Sequence, residues 1–143
     1  MEIERRAVMF MLDTNVLMHV VNKAPGYRNI IKQLAKHSTA DIVLSAITAH
    51  ELHYKIHKQR IGKARIDNLD ILMQRHKVIP FNNKAAEVAA KVRVHLEGCG
   101  TKISYWDTLI ASHAKALELV CVTDNVGEYD RVPGLKVQNW LRT

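Results

Sequence analysis

Acidic residues are scarce here. The 143 residues carry 14 Asp and Glu against 21 Lys and Arg, a formal net charge of +7. Cysteine is nearly missing: Cys99 and Cys121 are the only two and form no C-x-x-C pair. That excludes a disulfide framework and a cysteine-rich zinc site, and the two thiols read as reduced, small core residues of a cytoplasmic protein. No apolar run approaches the ~18 residues of a membrane helix. The opening Met1-Glu2-Ile3-Glu4-Arg5-Arg6 lacks a signal-peptide pattern, so no membrane partner is expected. Linkers, low-complexity stretches and internal repeats are also missing, and residues 1–143 read as a single domain. Neither G-x-x-x-x-G-K-[ST] nor G-x-G-x-x-G occurs, nor H-E-x-x-H, nor G-x-S-x-G. P-loop and dinucleotide chemistry, that type of zinc hydrolysis and elbow-type serine hydrolysis are set aside.

What is present is an alternation of short apolar runs and helical patterns. Val8 to Leu12 suits a strand buried on both faces, ending at Asp13, with Thr14 and Asn15 able to cap the helix that follows. Further strands are expected at Asp41–Ser45, Val78–Phe81, Leu119–Thr123 and Leu135–Val137. Pro80 puts the second of these near an edge. Helices are expected from Asn15 to about Val21, Tyr27 to Lys36, Thr48 to Arg60, Lys63 to about His76 (burying Ile66, Leu69, Ile71, Leu72 and Met73), Asn82 or Asn83 to Glu97, and Ser104 to Leu117. Asp124 to Gly134 reads as a polar loop. The pattern predicts a three-layer α/β/α fold around a parallel sheet of four or five strands.

The few acids fall at telling places. Asp13 follows the first strand. Glu51 stands three residues after Thr48, and Asp107 three after Ser104, both at capping-box spacing. Asp124, Asn125 and Glu128 follow the strand that ends at Thr123. Each acid alone could be a helix cap or a dipole partner. Several gathered at the carboxyl edge of one parallel sheet would repel one another unless a cation joined them. An oxygen-only set suits Mg²⁺ or Mn²⁺, ions that serve phosphodiester hydrolysis.

The positive excess points to a polyanion, nucleic acid first. Lys55, Lys58, Arg60, Lys63 and Arg65 crowd just after Glu51 and form either an RNA-backbone surface or a solvated helix face. His50, His53 and His57 share one side of that helix, a solvated or RNA-facing stripe. The opening also has the strand-then-Asp form of haloacid dehalogenase phosphatases. Asn15 stands where their second Asp would be, so the general acid is missing.

In order and spacing, Met11-Leu12-Asp13-Thr14-Asn15, Ser45-Ala46-Ile47-Thr48-Ala49-His50-Glu51-Leu52, Asp107-Thr108-Leu109-Ile110-Ala111-Ser112-His113-Ala114, Val122-Thr123-Asp124-Asn125 through Glu128-Tyr129, and Arg131-Val132-Pro133-Gly134-Leu135-Lys136-Val137-Gln138-Asn139-Trp140 resemble the PIN-domain ribonucleases, specifically the VapC-type toxins of bacterial VapBC pairs. The resemblance implies a PIN-like fold, endonucleolytic RNA cleavage with Mg²⁺ or Mn²⁺, and metal ligation by Asp13, Glu51 and Asp107. It also implies a supporting role for Thr14, Asn15, Thr123 and Asn125, a VapB-type antitoxin over the pocket, and a homodimer. At the fourth acidic place the family has T-x-D or T-x-N. Asn125 stands there in this chain, which leaves Asp124 and Glu128 both open as the residue acting through water. Ser104 replaces a frequent glycine. The RNA is not specified, a transfer RNA being one candidate. A non-cutting PIN-like RNA- or protein-binding module and a small-ester phosphatase are the alternatives.

Overall fold

Phe10, Met11 and Leu12 carry apolar side chains for both faces of a sheet, and all three are buried. They form β1 (Phe10–Leu12), and the rest of the chain wraps it. In the computed structural model, which describes residues 9–58, 61–101 and 103–142, the order continues with α1 (Thr14–Asn22), α2 (Tyr27–Lys36), a 3₁₀ turn (Thr39–Asp41), β2 (Ile42–Ser45), α3 (Ala46–His57), α4 (Lys63–Arg75) and β3 (Lys77–Ile79). It ends with α5 (Asn83–Gly98), α6 (Tyr105–Ala116), β4 (Val120–Val122), α7 (Val126–Tyr129) and β5 (Lys136–Gln138).

The five strands are parallel, in the order β3-β2-β1-β4-β5. β1 is central: Leu12 lies level with Leu44 on one side and Val122 on the other. Strand order reverses at β1, and such a switch point opens a crevice at the carboxyl ends. Asp13 and Thr123 continue β1 and β4 into it.

Successive strand residues face opposite layers. Phe10, Leu12, Ile42, Leu44, Val120 and Val122 pack with Val16, Leu17, Ile30, Leu52, Leu69 and Trp140. Met11, Val43 and Cys121 pack instead with Val92, Leu96, Ile110, Ala111, Ala114 and Tyr129. Two cores on two faces make the three-layer α/β/α fold that the alternation predicts.

Several local expectations change. α3 begins at Ala46, because Ser45 both closes β2 and caps the helix, accepting from Ile47 N at 3.0 Å. Thr48 is therefore inside the first turn and buried, not a cap, and Glu51 sits in the second turn. Asp41 belongs to the 3₁₀ turn capped by Ser38, so β2 starts at Ile42. In α4 only Leu69 is fully buried. Ile66, Leu72 and Met73 share its side in part, and Ile71, two residues along and on the opposite side of the helix, is exposed. Residues 124–134 are no simple polar loop: they contain α7, which drives Tyr129 and Val132 into the core. Cys121 is a core residue as expected, whereas Cys99, at the C-cap of α5, is exposed. No helix among the described residues is long and apolar enough to cross a membrane.

Gly26 precedes α2 at φ +90°, and a Cβ there would lie 3.0 Å from Leu141 Cδ2 and 3.3 Å from its carbonyl oxygen. Asn29 donates to that same carbonyl at 2.8 Å, so the turn is the seat on which the Trp140 segment rests. Gly26→Ala meets both the left-handed backbone and the close approach. It should destabilise the fold by about 1–3 kcal/mol, readable as a lower midpoint in urea. An unchanged midpoint would show that the seat is not needed.

Candidate active site

Asp13 ends the central strand and caps α1. Its Oδ1 accepts from Val16 N at 2.9 Å, and the Thr123 hydroxyl hydrogen-bonds the same carboxyl. Capping therefore falls to Asp13 and not to Thr14 or Asn15. The side chain is 2% exposed. Burial, reinforced by the charges of Asp124 and Asp107 and only partly offset by the two hydrogen bonds, raises its pKa from 3.8 to about 7. The cap reading and the acid-cluster reading thus both hold at one atom group.

The other acids arrive from different elements. Thr14, freed from capping, donates its hydroxyl to Glu51 Oε1 at 2.8 Å and ties α3 to the start of α1. Asp107 lies in the first turn of α6, where Ser104 Oγ accepts from Asp107 N at 3.1 Å, as the capping spacing predicts. Its Oδ1 accepts from the Tyr129 hydroxyl at 3.2 Å. Burial, followed by the charge of Asp13, pushes that phenol's pKa upward, so it stays a donor. Beyond β4, Thr123 Oγ1 accepts from Asn125 N at 3.0 Å, and Asn125 Nδ2 donates to Glu128 Oε2 at 2.7 Å. Asp124 acts on Asp13 through its charge, while Glu128 is tied to Asn125. Asn15 is exposed on α1.

Asp107 and Asp124 thus lie near enough to Asp13 for their charges to act on it, and Glu51 is tied to its neighbour Thr14. Among the described residues, no group of three or more His, Cys, Asp or Glu side chains is placed so as to hold a metal ion by itself. The donor set is nonetheless all oxygen, and Asp13 is a carboxyl held in a desolvated field of like charge. That combination fits a hard cation retaining several waters, as Mg²⁺ does, better than a closed protein cage.

The described members of the basic stretch have different partners. Lys55 lines a cavity of about 330 Å³ with His50, Glu51, Tyr54 and Trp106. Lys58 lies over the Tyr54 ring, its Nζ 4.8 Å from the centroid. Arg65 instead donates to Asn22 Oδ1 at 3.0 Å, at the far end of α1 from Asp13, and Lys63 stands beside it at the start of α4. Arg60 lies outside the described residues. His50, His53 and His57 are exposed, as expected of a solvated or RNA-facing stripe. A larger cavity of about 520 Å³, mostly apolar, runs between α5 and α6 and contains none of the four crevice acids. Two contributors were not anticipated: Tyr129, whose fully buried ring holds Asp107, and the aromatic group Tyr54, Tyr105 and Trp106. Tyr105 and Trp106 immediately precede Asp107, Tyr54 is one turn past Glu51, and Tyr129 follows Glu128, which was the available signal.

Residues 10–135 match the PIN domain family, and ribonuclease VapC2 of Rickettsia felis is 37% identical over 134 residues, 93% of this chain and 98% of that one. This chain belongs to the PIN-domain family, with the VapC ribonucleases. A tRNA(fMet)-specific endonuclease VapC of Salmonella typhimurium is 30% identical over 131 residues, 92% of this chain and 97% of its own length. The crystal structure of VapBC2 from Rickettsia felis bound to a DNA fragment from their promoter contains a chain that superposes with a TM-score of 0.81. It is 36% identical and covers 93% of this chain and 99% of that one. The five-stranded parallel sheet between helical layers is the PIN arrangement, as the resemblance implied.

The raised pKa of Asp13 sets a pH signature for this PIN domain. Between pH 4 and 7 the native carboxyl keeps a proton that the unfolded chain has already released. Its contribution to stability is therefore complete below the unfolded value of 3.8 and is lost as pH rises through about 7. Asp13→Asn removes that loss. In EDTA, the variant should be more stable than wild type by about 0.5–2 kcal/mol at pH 8, with the gap closing toward pH 5. Thermal melts at the two pH values decide it, and an Asn variant less stable at both would leave Asp13 as a cap alone.

Proposed function

We propose that this chain is a VapC-type toxin: a metal-dependent endoribonuclease that cuts RNA phosphodiesters and is restrained by a cognate VapB-type antitoxin. The observation that carries the reading is the buried Asp13 carboxyl, raised in pKa beneath the charges of Asp107 and Asp124, with Glu51 hydrogen-bonded to its neighbour Thr14. A crevice of like charges at the switch point of a parallel sheet costs stability and needs a functional reason. The VapC names of its relatives supply the substrate class.

In this reading Asp13, Glu51 and Asp107 hold Mg²⁺ or Mn²⁺, and Asp124 completes the anionic field. When bound, the ion supplies an activated water and charge stabilisation for in-line displacement. The chain's residues set the frame for that chemistry. Tyr129 aims Asp107, Thr14 aims Glu51, and Thr123 with Val16 N fixes Asp13. The Asn125–Glu128 pair holds the turn that presents Asp124. Lys55, beside Glu51, steadies an RNA phosphate, while Arg65 is engaged with Asn22 at the far end of α1. The antitoxin covers the crevice, and the toxin pairs with a second copy of itself, which light scattering of the purified protein tests.

The chain should cleave RNA in Mg²⁺ or Mn²⁺ and stop in EDTA. Asp13→Asn, Glu51→Gln and Asp107→Asn should each reduce cleavage at least ~100-fold while remaining folded. Sequencing of RNA ends after brief expression, with Asp13→Asn as control, identifies the target, a transfer RNA among those tested. Cleavage that persists in EDTA and in the Asp13→Asn protein prepared in parallel would end the metal mechanism. Binding without cleavage under all conditions would make the chain a non-cutting RNA-binding module.

A further inference from the structure

Aromatic rings with open faces are unusual beside a cluster of carboxylates. Of the large apolar side chains that are exposed among the described residues, the aromatic ones are Tyr54 at 52%, Tyr105 at 58% and Trp106 at 41%. Tyr54 and Trp106 line the cavity that Glu51 shares, and Tyr105 stands next to Trp106. Trp106 and His50 are in ring contact with centroids 5.4 Å apart, and Tyr105 meets Trp106 edge-on at 5.7 Å. Tyr54 lies one helical turn from His50 on α3. Between them is the cavity of about 330 Å³ whose lining also includes Glu51 and Lys55, at the small end of ligand-sized cavities.

We propose that this cavity is a base-stacking subsite: it takes one unpaired base of an RNA strand, next to the phosphate at the acids, with Trp106 as the stacking platform. The inference rests on the ribonuclease reading and adds to it a device for holding single-stranded substrate. Glu51 belongs to both the cavity and the acidic crevice, so a base seated there leaves its backbone at the carboxylates. Cations are interleaved with the rings: Lys55 in the lining and Lys58 over Tyr54, its Nζ 4.8 Å from the ring centroid. Aromatic faces alternating with positive charge suit a nucleic-acid strand, with its stacking bases and phosphates. Trp106 is also held in advance, since its turn of α6 is fixed by the Ser104 cap at Asp107 N and by Thr108 Oγ1 donating to Ser104 O at 2.9 Å.

The chain's other tryptophan, Trp140, is buried against Phe10 and His37 on the opposite face of the sheet, so emission changes on adding RNA report Trp106. The full-length protein is titrated in EDTA with hexa-adenylate and with a ribose-phosphate hexamer of equal length that lacks bases. Hexa-adenylate should quench the emission and bind roughly tenfold more tightly than the abasic strand. Trp106→Ala should lose that preference, and Trp106→Phe should keep most of it while losing the quench. Cleavage of single-stranded RNA should fall for Trp106→Ala through KM more than through kcat. Equal affinity for the two strands with no quench overturns the subsite, and continued metal-dependent cleavage by wild type then leaves the ribonuclease reading standing. Loss of cleavage by wild type itself strikes that reading instead. A Trp106→Ala protein with unchanged strand preference but a changed mass in light scattering overturns the subsite in favour of a protein contact.

Discussion

A carboxyl buried at the end of the innermost strand is the constraint on which the rest depends. Water is excluded from Asp13, and two more acids press their charge on it, so the chain must supply what solvent does not. It does so with one backbone amide, one threonine hydroxyl and the elevated proton affinity of the group itself. The same dry environment keeps the Tyr129 phenol protonated and therefore able to donate to Asp107. Hydroxyl groups from Thr14, Thr123 and Tyr129 thus tie down carboxylates whose charges bear on one another. A site arranged this way is waiting for positive charge.

The sheet was legible because β1, β2 and β4 are uninterrupted apolar runs ended by polar residues, and a parallel sheet buried on both faces leaves little else for such runs to do. The positions of Asp13, Glu51, Asp107 and Asp124 followed from the same breaks. Helix starts were less legible. Ser45 and Thr48 both have capping side chains, and only the point where β2 stops decides that Ser45 caps and Thr48 is buried. Tyr129 was hidden for another reason. A four-residue helix has no period to detect, so the surrounding charges and glycines made residues 124–134 look solvated.

The basic stretch shows how sequence proximity misleads. Lys55 and Arg65 are one short connection apart, yet a change of helix direction sends one to the crevice and the other to the distal end of α1. The aromatic rim was the converse. Tyr54, Tyr105 and Trp106 are spread over two distant segments and look like core residues in a list. Only the packing of α3 against the first turn of α6 turns their faces outward beside Glu51.

The register of the sheet has a consequence for how such a protein can be made safely. Phe10 emerges from the ribosome early, but its neighbour on the β4 side is Val120, and Thr123, Asp124 and Tyr129 come later still. A nascent chain that stops short of β4 cannot assemble the crevice, whatever local structure it forms, because Thr123, Asp124 and Tyr129 have not been translated. The middle strand is made first and waits for its closing neighbour, so chemical competence is tied to synthesis through α7.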